Sequence, residues 1–426
     1  MQRRDFITTS ALAISAMPLY GITFQNKPKS LAIIGTGWWG MNILREAMAF
    51  GDCTVVGLCD VDRKALEAAR DEVKKAKGDD ARIYEDYREL ISKEKPDLVI
   101  VASPDHWHAL QAIEAIKSGA HVFMEKPICH TINEGIAIFN AARKYERVVQ
   151  VDTHRRLSPH NISAMEFLRS GKVGKIHHVK TFVNYNQGPG TAPMAQEAPD
   201  HLNWDMYLGP APKMDYNPGI HPKGFRNHLD LANGTIGDWG IHWFDQVLWW
   251  TEEKYPKKIY STGSRYVKQD GTNAPDFQSA SFEFESFTLD WEHRLFAVGQ
   301  NEGHNLGCYF YGTEGTFHLG WIDGWTFYPR NRNESKIHVD PTLHQPDAQN
   351  IKEAWADFRQ AIDKDVRPAC DIENGMLATN VSLLGMASYK LGRSIIWDGD
   401  KNRIVGDEEA NGLLKRDYRG EWEYPR

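Results

Sequence analysis

The sequence predicts an α/β chain, with a doubly wound parallel sheet in its N-terminal half and an α+β C-terminal half on an open, mostly antiparallel sheet. Three observations carry this. From residue 31 to 124 short continuous apolar runs alternate with helix-period segments, the pattern of parallel strands covered on both faces. Beyond residue 176 the period shortens, and β-branched and aromatic residues recur between Gly-containing turns. With 41% hydrophobic and 25% charged residues in 426, the chain has ample core and no long polar tract.

The first strand, Leu31-Ala32-Ile33-Ile34, runs into Gly35-Thr36-Gly37-Trp38-Trp39-Gly40 and then a helix with Trp39, Ile43, Leu44, Ala47 and Met48 on one face. Strand, glycine turn and helix make the dinucleotide fingerprint of a Rossmann fold. Gly35 permits the tight turn, Gly37 admits a pyrophosphate close to the backbone, and Gly40 lets helix and strand pack. A second strand, 53 to 59, ends at Asp60, spaced to accept from the adenosine ribose hydroxyls, so NAD is expected and NADP is disfavoured. Arg63 would soften that preference, and Asp60 has a plainer alternative as the cap of the next helix. Helices follow at 62–76 and 86–93, then a strand at 97–102, a helix at 108–118 and a strand at 121–124. Ligands of such a sheet sit at the carboxyl ends of its strands. Two segments stand there: Ser103-Pro104-Asp105-His106-Trp107-His108 and Glu125-Lys126-Pro127.

In the second half, strands are read at 176–185, 257–267, 277–285, 287–298, 305–311 and 315–321, then a helix at 371–393 and Ile395-Ile396-Trp397-Asp398. Residues 186–236 form a long irregular stretch rich in Pro, Gly, His and aromatics, the mark of a functional lid. Domain limits follow: 29–155 for the nucleotide half, 156–398 for a substrate and oligomerisation half, and a polar tail at 399–426 draped over the first half.

The ends and the charge set further bounds. Arg3-Arg4-Asp5-Phe6-Ile7 followed by Thr8 to Ala16 reads as a twin-arginine signal peptide over 1–24, which places the protein in the periplasm; a frayed cytoplasmic tail is the alternative. No later segment is long and apolar enough for a stable membrane anchor. Against 57 acidic residues stand 50 Lys and Arg, a net charge of -7 without a basic run, so nucleic acid is not expected as a partner. The 5 cysteines lack any C-x-x-C pair, and His106 and His108 alone do not make a metal site, so no metal is expected.

These motifs resemble the Gfo/Idh/MocA family of NAD(P)-dependent enzymes of sugars and cyclitols. The resemblance rests on Gly35 to Gly40, on Ser103 to His108 with Ala115-Ile116-Lys117-Ser118-Gly119, on Glu125-Lys126-Pro127, on Gly237-Asp238-Trp239-Gly240-Ile241-His242-Trp243-Phe244-Asp245, and on Tyr311-Gly312-Thr313-Glu314-Gly315-Thr316. It implies that Lys126 lies near the nicotinamide and the substrate hydroxyl, with a cis bond before Pro127, and that Asp238 and His242 belong to the site. Spacing of four also puts Asp238 and His242 on one helix face, with Asp245 further along the same stripe.

Oxidising a secondary alcohol needs a base on its hydroxyl as hydride leaves the same carbon. His242 is the expected base, Lys126 steadies the developing alkoxide, and Asp238 binds a neighbouring hydroxyl or orients the imidazole. Plainer roles stand beside these: a surface pair of Lys126 with Glu125, a core histidine at 242, a helix cap at 238. Cofactor contacts are expected from Gly35, Gly37, Trp38, Trp39, Gly40, Asp60, Ser103, Pro104, His106, His108, Glu125 and Lys126. Substrate contacts are expected from His154, Arg155, Arg156, Asn184, Tyr185, Arg226 and Asp245, a set suited to carbohydrate. The resemblance also implies a homodimer or homotetramer.

The leading reading is an NAD-dependent oxidoreductase acting on a secondary hydroxyl or ketone of a sugar, glycoside or cyclitol. Some family members instead use transient C3 oxidation, elimination and re-reduction to cleave glycosides. The intact Glu125-Lys126-Pro127, which such relatives tend to replace, leans toward the dehydrogenase. A non-catalytic sugar or NAD sensor is the third reading, against which Lys126, Asp238 and His242 argue.

Overall fold

The protein is described here from a computed structural model covering residues 28–296, 300, 303–343 and 349–425. The expected signal peptide lies outside the described residues.

The first half runs β1 (Lys29–Ile34), α1 (Trp38–Phe50), β2 (Cys53–Cys59), α2 (Arg63–Lys77), β3 (Arg82–Tyr84), α3 (Tyr87–Glu94), β4 (Leu98–Val101), α4 (His108–Lys117), β5 (His121–Met124), α5 (Ile132–Lys144) and β6 (Val149–Val151). All six strands pair in parallel in the order β3-β2-β1-β4-β5-β6. The order reverses between β1 and β4, which opens a crevice at their carboxyl ends. Helix ends follow local chemistry. Asp62 caps α2, its carboxylate accepting from the Lys64 and Ala65 amides, and Gly78 ends the helix at φ 77. By contrast α1 starts at Gly37 with no side-chain cap, so its first amides are left to whatever fills the crevice.

The second half adds α6 (Pro159–Arg169), β7 (Ile176–Asn184), α7 (Trp204–Leu208), a π-helical turn over Ile236–Gly240, α8 (Ile241–Thr251), β8 (Lys258–Ser264), β9 (Phe277–Glu283), β10 (Thr288–Arg294), β11 (Leu306–Gly312), β12 (Gly315–Leu319), β13 (Trp325–Pro329) and β14 (Ile337–Val339). It closes with α9 (Ile351–Lys364), α10 (Ile372–Leu391), β15 (Ile395–Asp398), β16 (Arg403–Ile404) and α11 (Glu408–Gly412). Ten strands form one sheet, β14-β13-β12-β11-β7-β10-β9-β8-β15-β16, antiparallel except for the central β7/β10 pair. Along β9 and β10 buried and half-buried residues alternate, so one face packs on helices and the other is open to solvent.

Two features depart from the sequence reading. The 156–398 segment does not stay in the second half, because α9 turns back onto α1: Trp355 and Phe358 pack on Phe123, and Arg359 pairs with Asp52. Residues 186–236 are not purely irregular either, since α7 and the cluster of Leu208, Ala211, Ile220, Phe225 and Leu231 give them a small core. The tail reaches the first half: Arg416 pairs with Glu134 at 2.9 Å and donates to the His106 carbonyl, and Trp422 packs edge-on against Trp107.

The core holds many neutral histidines, and this sets a pH dependence. Burial lowers the pKa of His106 and His154 to about 3, of His160 and His293 to about 4, and of His130 and His242 well below the usual value. An unfolded histidine takes its proton near pH 6.5 and these folded ones do not, so the unfolded state binds more protons and stability falls as pH drops below 6.5. Each contributes up to about 1.4 kcal/mol per pH unit. Asp105, raised to about 7 by burial, and Glu125, raised well above the carboxylate range, act in the opposite sense but are fewer. The thermal midpoint should fall steadily from pH 7 to pH 5; a flat or rising midpoint in calorimetry would overturn the expectation that the buried neutral histidines dominate over the raised carboxyls.

Candidate active site

The crevice at the carboxyl ends of β1 and β4 continues into a cleft of about 500 Å³ between the two halves. Its nucleotide end is built by the glycine loop. Gly35 has φ 97, and a Cβ there would lie 2.6 Å from the Ala102 backbone; a Cβ on Gly40 would lie 2.1 Å from the Gly35 carbonyl oxygen. A Cβ on Gly37 would meet nothing within 4 Å, so that edge faces open cleft. Open space beside uncapped helix amides is what a pyrophosphate needs, and the residues fit NAD.

Asp60 lines the cleft, and its Oδ2 accepts from the Thr36 amide at 2.7 Å and the Thr36 hydroxyl at 3.0 Å, while Oδ1 accepts from the Asp62 amide. The carboxylate therefore locks the loop and keeps an acceptor position for a ribose hydroxyl. It does not cap α2, a role that belongs to Asp62. Arg63 is exposed and outside the cleft lining.

The paired tryptophans have different jobs. Trp39 donates from Nε1 to Glu125 and to Asp152 Oδ2, tying the glycine loop to the strand ends of β5 and β6. Trp38 is 63% exposed and lies under the Lys223 ammonium, 5.3 Å from the ring, at the mouth. Glu125 and Asp152 are buried side by side, and burial with the adjacent Asp152 pushes the Glu125 carboxyl well above the usual range. His108 lies between two carbonyls, Nδ1 2.8 Å from Pro127 and Nε2 2.7 Å from Ser103; burial favours the neutral ring, which donates to one of them only, so it packs between the two loops and bonds to one.

At the inner end the expected catalytic residues converge. The Lys126–Pro127 bond is cis. Lys126 Nζ donates to Asp238 Oδ1 at 2.8 Å and to the Asp238 carbonyl at 3.1 Å, and Arg226 Nε donates to the same Oδ1 at 2.8 Å. The two cations outweigh burial and hold Asp238 well below the usual carboxylate range. His242 lines the cleft between Trp239 and Trp321, and its Nδ1 has no partner among the described residues. Asp238 thus serves the cations and does not orient the imidazole. His154 accompanies them, its Nδ1 meeting Asp152 Oδ1 at 3.1 Å.

Several expected site residues lie elsewhere. Arg156 and the buried Asp245 pair with each other at 2.9 Å, and neither lines the cleft. The pairing is the reason: Arg156 Nε donates to both carboxylate oxygens of Asp245 at 2.9 Å, which turns each group to the other and away from the cleft. Truncating Arg156 to Ala should cost about 3–5 kcal/mol of stability by stranding a buried carboxylate. Chemical denaturation measures this; an intact midpoint with a raised KM would return Arg156 to the substrate. Arg155 is buried with its guanidinium 3.6 Å over the Trp321 ring, behind the wall of the cleft. Tyr185 packs edge-on to Trp239, also behind the wall, and Asn184 accepts from Arg294. His106 is buried against the Tyr207 carbonyl and does not line the cleft.

The sequence reading did not name Trp321, Asp105, Asp152 or Gln111, all of which line the cleft, although Asp105 sits inside the motif from Ser103 to His108. The 186–236 stretch read as a functional lid does reach the cleft, through Met206, Tyr207, His221, Pro222, Lys223 and Phe225.

Comparison with known proteins agrees with this layout. Residues 29–153 match the oxidoreductase family model for an NAD-binding Rossmann fold, and 181–424 match the oxidoreductase family C-terminal alpha/beta domain, both of the Gfo/Idh/MocA group. A glycosyl hydrolase family 109 protein of Shewanella baltica is 25% identical over 152 residues, covering 35% of this chain and 33% of that protein. The match therefore spans about a third of that curated relative. Among solved structures, the aldose-aldose oxidoreductase of Caulobacter crescentus complexed with glycerol aligns at TM-score 0.66 and 18% identity, covering 87% of this chain and 100% of that one. The myo-inositol 2-dehydrogenase of Lactobacillus plantarum aligns at TM-score 0.65 and 19% identity, with the same coverage. At these identities the structural likeness shows the fold.

Proposed function

Because the chain belongs to the Gfo/Idh/MocA oxidoreductase family, we propose that it moves a hydride between NAD and a secondary hydroxyl or ketone of a sugar, glycoside or cyclitol. The carrying observation is the convergence of Lys126, Asp238, Arg226 and His242 at the inner end of a cleft that starts at the glycine loop. NAD, when bound, supplies the hydride acceptor. The chain supplies the rest. Neutral His242 takes the hydroxyl proton, the Lys126 ammonium holds the developing alkoxide, and the Asp238 carboxylate fixes that ammonium in place. Trp239 and Trp321 give apolar faces for a sugar ring, and Arg226 a polar contact at its edge.

A second reading is favoured by the relatives named as glycosyl hydrolase family 109 proteins: glycoside cleavage by transient oxidation, elimination and re-reduction. Glycoside cleavage by this route returns the hydride to the same sugar and so regenerates NAD in place, whereas the dehydrogenase reading with a retained cofactor needs a second carbonyl sugar to take the hydride from NADH. We further propose export through the paired Arg3-Arg4 signal to the periplasm, where scarce free NAD would favour a retained cofactor, and fractionation of cells checks the location. The open face of the ten-stranded sheet, with exposed Tyr260, Tyr328 and Ile396, suits a homodimer or homotetramer, measurable as the mass in solution.

The deciding experiment denatures the purified protein and identifies what it releases. Stoichiometric NAD(H) is expected; a protein that leaves purification empty and binds NAD only weakly sinks the recycling cofactor. Incubation with a glycoside then separates the readings, since free sugar at constant NADH means cleavage and a stoichiometric keto-glycoside means dehydrogenation.

A further inference from the structure

Beside the cleft, His304, His318 and Asp323 bring two imidazoles and a carboxylate together, with one donor atom of each within 4.8 Å of the others. The strands place them. His304 enters β11, His318 lies on β12 opposite Tyr309, and Asp323 sits in the turn between β12 and β13.

Three features point to a ligand here. The His318 ring is 1% exposed and its Nε2 has no hydrogen-bond partner among the described residues, a loss of solvation that a fold normally repairs. His304 Nδ1 meets the Tyr309 hydroxyl at 2.6 Å, which leaves Nε2 turned toward Asp323 Oδ2 at 3.4 Å. That gap is long for a hydrogen bond and close to the ~3.4 Å between two ligands of a tetrahedral ion with bonds of about 2.0–2.1 Å. A tyrosine holding the far nitrogen is also the support that metal-bound histidines have. The third feature is Gly307, where a Cβ would lie 2.7 Å from His318 Nε2 and crowd it.

We propose that His304, His318 and Asp323 bind a divalent transition metal of the zinc type, with the remaining position taken by water. Imidazole with one carboxylate is a borderline donor set that selects such an ion over magnesium or calcium. The rings now stack with centroids 3.6 Å apart, and coordination splays them so that each nitrogen points at the ion. Asp323, whose carboxylate is 44% exposed, gives the ion its way in. Trp321 stands two residues before Asp323 and walls the cleft, so the ion would pin the turn that carries it. This is a positioning role, and no step of the proposed chemistry passes through the metal.

The test uses the full chain, stripped with a chelator, re-equilibrated with zinc and freed of excess by gel filtration before elemental analysis. About one zinc per chain is expected, with affinity reduced at least tenfold in His304→Asn and Asp323→Asn, and roughly 10–100-fold in Tyr309→Phe. Asp323→Asn changes a partly exposed turn and should fold as the parent does, so it carries the result if a histidine variant misfolds. Cobalt substitution should give the visible absorption of a tetrahedral site in the parent and lose it in Asp323→Asn. A chain that retains no zinc, or that retains it equally in Asp323→Asn, overturns the proposal.

Discussion

Replacing Lys126 by methionine is expected to lower kcat/KM about 10²–10³-fold, or roughly 2.7–4 kcal/mol of transition-state stabilisation, the cost of losing one preorganised donor at an oxyanion. The variant tests charge and little else. Methionine is unbranched and of similar length, so it fills the same channel. The Asp238 carboxylate keeps Arg226 at 2.8 Å and is not stranded. Nucleotide affinity should therefore stay close to that of the parent, because the glycine loop, Asp60 and Trp39 do not touch the Lys126 ammonium. Lys126→Arg restores charge without the compact ammonium and should recover only part of the loss. If Lys126→Met turns over as the parent does, the lysine is merely the structural partner of Asp238.

The legible parts of this site were those whose function depends on local backbone geometry. A glycine turn between a strand and a helix has few solutions, so Gly35, Gly37 and Gly40 announce the crevice, and Asp60 follows from the length of one βαβ unit. The strand end marked Lys126 only as a cleft candidate, with a surface pair to Glu125 equally open; its role beside the reacting carbon came from the family resemblance of Glu125-Lys126-Pro127. Tertiary placement was not legible. Trp321 reaches the cleft from a turn after β12, nearly two hundred residues from Lys126, and nothing in its neighbours separates it from a core tryptophan. Arg156 and Asp245 read as substrate contacts because polar residues near a strand end and on an active helix look alike, whether they pair or bind. The short β6 and the return of α9 were hidden for a related reason. A three-residue strand is too brief for a period, and the α9 pattern shows one apolar face without showing which half covers it.

His242 carries the second large effect, and its pH dependence decides whether it is the base. Substitution by asparagine should lower kcat about 10²–10⁴-fold with a smaller change in KM, as expected for a lost general base. Its Nδ1 has no partner to strand, so the fold should tolerate the change. Burial, then Lys126, His154, Arg155 and Arg226, hold the imidazole well below its ordinary pKa. Only the neutral ring accepts a proton, and a lowered pKa keeps it neutral to lower pH, so kcat/KM should show no acid limb near pH 6.5. A competitor stands in the same cleft: burial pushes the Asp105 carboxyl up to about 7, and a carboxylate base there would lose activity as pH falls through that value. An acid limb near pH 7 that persists in His242→Asn and disappears in Asp105→Asn would move the base to Asp105. A profile flat through pH 7 in the parent, with the rate lost in His242→Asn and kept in Asp105→Asn, assigns it to His242.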